Sequence, residues 1–192
     1  IGAGWVVSEE NFFKTDAISF LKLRASWGEL GNDAIRPSVG TPTIDDKATA
    51  IDDTRLTGRI LDPVYDYIDQ WETTIETNLG LNARFLKDRL SLEVDYFIRD
   101  TKDLAVNIIP PVFRAGSQRR SVGEIRNEGI EITLGWSDQI SNDLNYYVGA
   151  NIATLKNTVQ NLGGAEYIDA GQAEFRQRSI IGQPYQAFYG YE

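Results

Sequence analysis

Trp71-Glu-Thr-Thr-Ile-Glu-Thr-Asn-Leu-Gly-Leu-Asn-Ala-Arg-Phe85 decides the fold. Trp71, Ile75, Leu79, Leu81, Ala83 and Phe85 share one parity; Glu72, Glu76, Asn78, Asn82 and Arg84 share the other. Side chains of a strand alternate faces, so this ribbon has one apolar and one strongly polar side. Soluble strands usually run about five or six residues. A run of about fifteen is long enough to cross a bilayer at a tilt, which takes roughly nine to eleven. After four residues, 86–89, the pattern returns in Leu90-Ser-Leu-Glu-Val-Asp-Tyr-Phe-Ile98. Parity fixes the register of this expected hairpin, because a slip of one residue would carry Arg84 and Glu93 onto the apolar side.

The same alternation recurs along the chain. About seven strands are expected, over residues 1–8, 19–29, 71–85, 90–98, 124–136, 144–154 and 180–191, the last interrupted by Pro184. Their connections alternate short and long: 9–18, 86–89 and 137–143 are short, while 30–70, 100–123 and 155–179 are long. An antiparallel up-and-down meander sorted in this way puts its long loops at one end, as transmembrane β-barrels do. Trp27, Trp71, Phe85, Tyr96, Trp136 and Tyr146 fall near the ends of apolar runs, where barrels carry aromatic girdles. The expected fold class is therefore all-β, a segment of a large transmembrane barrel occupying the whole of 1–192. The segment would leave its terminal strands, 1–8 and 180–191, unpaired at the edges.

Composition narrows the function. The net charge is −9, and Arg119-Arg120 is the only adjacent basic pair, so nucleic acid is not an expected partner. Cysteine and histidine are both absent. That leaves no disulfide, no thiolate nucleophile, no histidine triad and no ordinary zinc ligand set. No cofactor or metal is expected. Asp45-Asp46 and Asp52-Asp53 lack the spacing of a calcium loop and read as solvated loop charge. No apolar stretch approaches eighteen residues, which argues against a transmembrane helix but not against a barrel. The first residue is Ile rather than Met, and both ends fall inside strand-like runs, as expected of a piece of a longer exported protein.

The segments also resemble, in order, those of SusC/RagA-type TonB-linked outer-membrane transporters, in the C-terminal half of the barrel. The matching pieces begin with Gly4-Trp-Val-Val-Ser-Glu-Glu-Asn-Phe-Phe13, Leu21-Lys-Leu-Arg-Ala-Ser-Trp-Gly-Glu-Leu-Gly-Asn32 and Trp71-Glu-Thr-Thr74. Asp95-Tyr-Phe-Ile-Arg-Asp-Thr-Lys-Asp-Leu104 and Gly123-Glu-Ile-Arg-Asn-Glu-Gly-Ile-Glu-Ile132 follow. Gly149-Ala-Asn-Ile152 with Lys156-Asn157, and Gly182-Gln-Pro-Tyr-Gln-Ala-Phe-Tyr-Gly-Tyr191, complete the set. The family usually has Tyr at the place of Trp27 and Lys at the place of Glu128. The resemblance implies a barrel of about 22 strands, of which this chain would supply about a third. It also implies a plug and a TonB-contact motif, both outside this chain, and a SusD-like surface lipoprotein as lid. The implied activity is TonB-driven import of oligosaccharides or peptides across the bacterial outer membrane.

No residue is expected to do chemistry. Lys22, Arg24, Glu72, Glu76, Arg84, Glu93, Asp95 and Glu131 would line a wet lumen, largely as mutually neutralising pairs. Outward apolar residues would meet outer-membrane lipid. Glycan, peptide or lid contacts are expected in the long loops. Tyr65, Tyr67 and Trp71 could stack on rings, with Asp66 and Asp69 accepting hydroxyl hydrogen bonds. Arg114, Arg119 and Arg120 form a second candidate, suited to an acidic ligand or to the lid. Two rivals differ in class. A soluble carbohydrate-binding β-sandwich would explain alternation and loop aromatics, but not the long strand or the sorted loops. A glycosidase-like enzyme would use paired carboxylates, but Glu93 and Asp95 merely share one polar strand face.

Overall fold

The computed structural model describes residues 1–13, 15–34, 38–40, 44–52, 54–61, 66–108, 118–172 and 175–190. Its strands are β1 (Gly2–Val6), β2 (Ile18–Asn32), β3 (Ser38–Val39), β4 (Ile44–Ile51), β5 (Thr54–Leu61), β6 (Asp66–Ile68) and β7 (Glu72–Phe85). Then come β8 (Leu90–Ile108), β9 (Gln118–Ser141), β10 (Leu144–Leu162), β11 (Tyr167–Gln172), β12 (Phe175–Ile180) and β13 (Ala187–Phe188). A single 3₁₀ turn, Val7–Glu9, is the only helical element among the described residues. Among the described residues no helix is long and apolar enough to cross a membrane. The main sheet runs β1-β2-β7-β8-β9, with β10 also on β9, so it is an open antiparallel meander.

The chain divides into two compact units. Unit 1 comprises Ile1–Leu30, Ile75–Asp100 and Arg126–Asn157. Here the alternation expected from sequence is realised strand by strand. β1 and β2 pair with Trp5 opposite Leu23, Ala3 opposite Ala25 and Gly4 opposite Arg24. Trp5, Leu23, Leu79, Leu81, Val94 and Tyr96 line one shallow apolar depression. Phe20, Lys22, Asn82, Arg84, Ser91 and Glu93 line another hollow. Leu81 and Arg84 thus stand on opposite sides, as the expected register requires. The β7–β8 hairpin closes through residues 86–89, with Leu86, Lys87 and Asp88 all at positive φ (54°, 61° and 66°). Asp88 is held there by Ser19, whose hydroxyl donates to its carboxylate at 2.8 Å.

The glycines of unit 1 keep to the polar side: Gly2, Gly4, Gly28, Gly80, Gly129, Gly135 and Gly149 all have its parity. At Gly80 and Gly135 the reason is close approach. A Cβ on Gly80 would lie 2.7 Å from both Arg24 and Asp95, and one on Gly135 would lie 2.5 Å from Ser91 Oγ and 2.8 Å from the Tyr147 hydroxyl. Large polar side chains therefore lie flat across bare backbone.

Burial separates the two units. Of the buried apolar residues, Ile68, Val106, Ile108, Ile125, Val159 and Leu162 belong to unit 2; unit 1 contributes Val7 and Ala83. The apolar residues of unit 1 are instead left on a face: Leu79 is 52% exposed and Ile152 62%. A water-soluble sandwich would bury these side chains between two sheets.

Unit 2 comprises Gly31–Thr74, Thr101–Ile125 and Thr158–Glu192. It corrects the sequence reading in four ways. The long connection 30–70 contains strands, among them the exposed β4–β5 hairpin paired from Ile44↔Leu61 to Ile51↔Thr54. β6 pairs parallel to β9, a departure from the meander. β8 and β9 extend past the expected 90–98 and 124–136, because ladder hydrogen bonds continue where side-chain alternation has stopped. Finally, the expected strand over 180–191 is not one strand. β12 ends at Ile180, a turn follows with Gly182 at φ 83°, and β13 covers only Ala187–Phe188. The second edge of the meander is accordingly β10 rather than 180–191.

Candidate functional site

The two loop clusters singled out from sequence meet in unit 2. Parallel pairing of β6 with β9 sets Asp66 beside Arg119 and Tyr67 beside Arg120. Arg119 Nη1 lies 3.8 Å from Asp66 Oδ2. The Arg120 guanidinium lies over the Tyr67 ring, 5.7 Å from its centroid, which is a cation–π distance. The strand is pinned on both sides: Ile68 is 2% exposed, Gly40 N donates to Asp66 O at 2.7 Å, and the Ser121 hydroxyl donates to Gln70 O at 3.3 Å. Tyr67 and Trp71 nevertheless remain exposed, at 39% and 56%. Asp69 is exposed as well. Tyr65 and Arg114 lie outside the described residues. This arrangement presents two rings, two guanidiniums and two carboxylates on a fixed backbone, which suits hydrogen bonding and stacking rather than bond cleavage.

Several polar side chains of unit 1 pair with one another. Arg24 bonds Asp95 at 2.9 Å and Asn82 at 2.7 Å. Arg99 bonds Glu76 at 3.1 Å and approaches Phe97; Arg84 lies over Phe20, 5.2 Å from the centroid. Lys22 crosses Gly4, while Glu93 and Glu131 are exposed. Glu72 belongs to unit 2, is 8% exposed, and accepts a 3.0 Å hydrogen bond from Asn32. No cluster of metal-ligating residues occurs among the described residues.

One constellation escaped the sequence reading. In the β11–β12–β13 sheet, Arg178 is sandwiched 4.0 Å from the ring centroids of both Tyr167 and Tyr189. Asp169 accepts two hydrogen bonds from it, at 2.6 and 3.2 Å. Those bonds hold the Asp169 carboxyl below its ordinary pKa and raise that of Arg178. The four residues come from three stretches that sequence alone gave no reason to join.

An open meander with one apolar and one polar face has the architecture of a segment of β-barrel wall. The family model of TonB dependent receptor-like β-barrels matches residues 1–188, and the chain belongs to that family. It is 30% identical over 196 aligned positions to TonB-dependent receptor P26 of Formosa agariphila, covering 99% of this chain and 20% of that protein. Against TonB-dependent receptor SusC of Bacteroides thetaiotaomicron it is 27% identical over 212 positions, covering 100% of the chain and 21% of SusC. The fold superposes on a chain of the RagAB peptide importer in its open-open state with a TM-score of 0.74, at 24% identity, covering 95% of this chain and 20% of that one. The chain thus spans about a fifth of the length of these relatives. Its place is the bacterial outer membrane, in the family of TonB-dependent receptors. The soluble sandwich is set aside by the same match.

Proposed function

We propose that the complete protein imports oligosaccharides or peptides through the outer membrane, powered by the TonB system and capped by a SusD-like lipoprotein. The polar face of unit 1, with Lys22, Arg24, Glu76, Arg84, Glu93, Asp95 and Glu131, lines the lumen, and its apolar face meets lipid. Glu72 continues the lumen parity into unit 2. The loop cluster of Asp66, Tyr67, Asp69, Trp71, Arg119 and Arg120 contacts substrate or lid, with Tyr65 and Arg114 as neighbours in sequence. The observation that carries the loop assignment is the Tyr67–Arg120 and Asp66–Arg119 pairing, which joins two segments about fifty residues apart and sets the ring–guanidinium pair on one side of the strands and the ion pair on the other.

The test is a comparison in the full-length protein. Tyr67→Ala combined with Arg120→Ala should reduce uptake-dependent growth, or recovery of the lid in a native pull-down, at least about tenfold, the scale of two lost contacts. Glu131→Gln should leave both near wild type. Unchanged growth and lid recovery in the double variant would reject the loop cluster as a contact surface.

A further inference from the structure

On the apolar side of unit 1, no Asp, Glu, Lys or Arg stands at the facing positions of 75–85, 90–98, 130–136 or 146–154. Paired charges stop this run at both of its ends. Towards the long connections, Arg126 forks onto Asp100 at 2.7 and 2.8 Å, and Lys156 bonds Glu128 at 3.1 Å. Towards the short turns, Arg89 lies 3.4 Å from Asp138. Just inside that pair, Trp136 Nε1 donates to the Tyr146 hydroxyl at 3.1 Å, as an interfacial aromatic pair would.

The spacing of these rows has a physical meaning. Glu128 and Asp138 share the parity of Ile130, Ile132 and Leu134 and lie ten positions apart. Ten strand residues span ~34 Å. Tilted by about 40°, they rise ~26 Å along the membrane normal, close to the roughly 25 Å apolar band of outer-membrane barrels. Charges are costly in hydrocarbon, so the rows belong where the hydrocarbon ends. Lys156 has a further capacity. Its side chain is 72% exposed, and its ammonium carries three donors, of which Glu128 takes one.

The geometry points to a lipid-binding collar, resting on the assignment of the apolar face to lipid. The Asp100–Arg126 and Glu128–Lys156 row lies in the headgroup layer of the outer leaflet, where Lys156 binds a phosphate of the leaflet's glycolipid. The Arg89–Asp138 pair lies in the headgroup layer of the inner leaflet.

This segment holds no native thiol, and any cysteine elsewhere in the full-length protein is first replaced by serine, so that an introduced cysteine reports depth directly. Single cysteines at 131, 148, 152 and 156 of the full-length protein in outer membranes would carry nitroxides. Collision with oxygen reports lipid, and collision with a nickel chelate reports water. Positions 148 and 152 should favour oxygen, and 156 the chelate. Oxygen preference at 156 equal to that at 152 would overturn the collar while leaving the lipid face intact. Chelate preference at 148 and 152 with oxygen preference at 131 would overturn the face assignment itself. Native mass spectrometry then tests the phosphate. Lys156→Gln should retain about threefold less added lipid A, the scale of one exposed charge contact, with unchanged phosphatidylglycerol. Lys156→Arg should restore lipid A retention. Unchanged lipid A in Lys156→Gln would overturn the phosphate contact, and an equal fall in both lipids would overturn the outer-leaflet assignment.

Discussion

Gly80 and Gly129 occupy the same polar side of the wall, yet their close contacts differ in kind. A Cβ on Gly80 meets the ends of Arg24 and Asp95, which can swing aside at the cost of their ion pair. A Cβ on Gly129 collides with the backbone carbonyl of Thr154, which the β9–β10 ladder holds in place. Gly129→Ala should therefore cost about 1–3 kcal/mol, the usual range for overpacking, and Gly80→Ala less. Heat-modifiable gel mobility or denaturant titration of the full-length protein would show the order; the reverse order would contradict the close-approach account. Asp169 supports a pH prediction. Its folded pKa is depressed below 3.8, first by the hydrogen bonds from Arg178. A depressed carboxyl stabilises at pH above its unfolded pKa, and that contribution is lost as pH falls through the folded value. Amide exchange in β11 and β12 should thus be pH-insensitive in its opening equilibrium near neutrality and rise below about pH 4. Asp169→Asn should abolish that rise, and a transition persisting in this variant would assign it to another group.

At the scale of the element, period-two alternation gives each strand of unit 1 two chemically opposite sides. Leu134 and Thr133 are chain neighbours on opposite sides of β9. Leu134→Arg places a charge in the apolar band, at a cost of roughly 2–4 kcal/mol near the bilayer midplane. Thr133→Arg adds one to a face that already carries Glu131. Outer-membrane levels of the full-length protein should fall for the first and hold for the second. Leu92→Arg should behave as Leu134→Arg does. Equal loss for Leu134→Arg and Thr133→Arg would remove the basis for distinguishing the two sides.

At the scale of the molecule, the open sheet leaves both backbone and apolar surface uncovered. β1 and β10 each have one neighbour in unit 1, so both present unpaired backbone donors and acceptors. The apolar side adds exposed Trp5, Leu23, Leu79, Leu134, Val148 and Ile152. An isolated 1–192 polypeptide should aggregate in detergent-free buffer and become dispersed in detergent. Light scattering showing a monodisperse monomer without detergent would contradict the exposed face and favour a covered core.

The wall was legible in the sequence because alternation is a local property. Whether Leu81 and Arg84 oppose each other follows from their spacing in a strand, so the faces, the β7–β8 hairpin and the order of the meander could be read directly. The sequence also separated an apolar face from a polar one, the pattern of a membrane wall. Only the tertiary structure decided the rest. The parts of β8, β9 and β10 near the long connections carry no alternating apolar signal, although they remain strand. The junction of Asp66–Tyr67 with Arg119–Arg120 and the enclosure of Arg178 by Tyr167 and Tyr189 depend on contacts that spacing along the chain does not determine. Strand pairing between distant segments is fixed by which backbone groups remain unpaired after the whole sheet has formed, and no single stretch of residues contains that information.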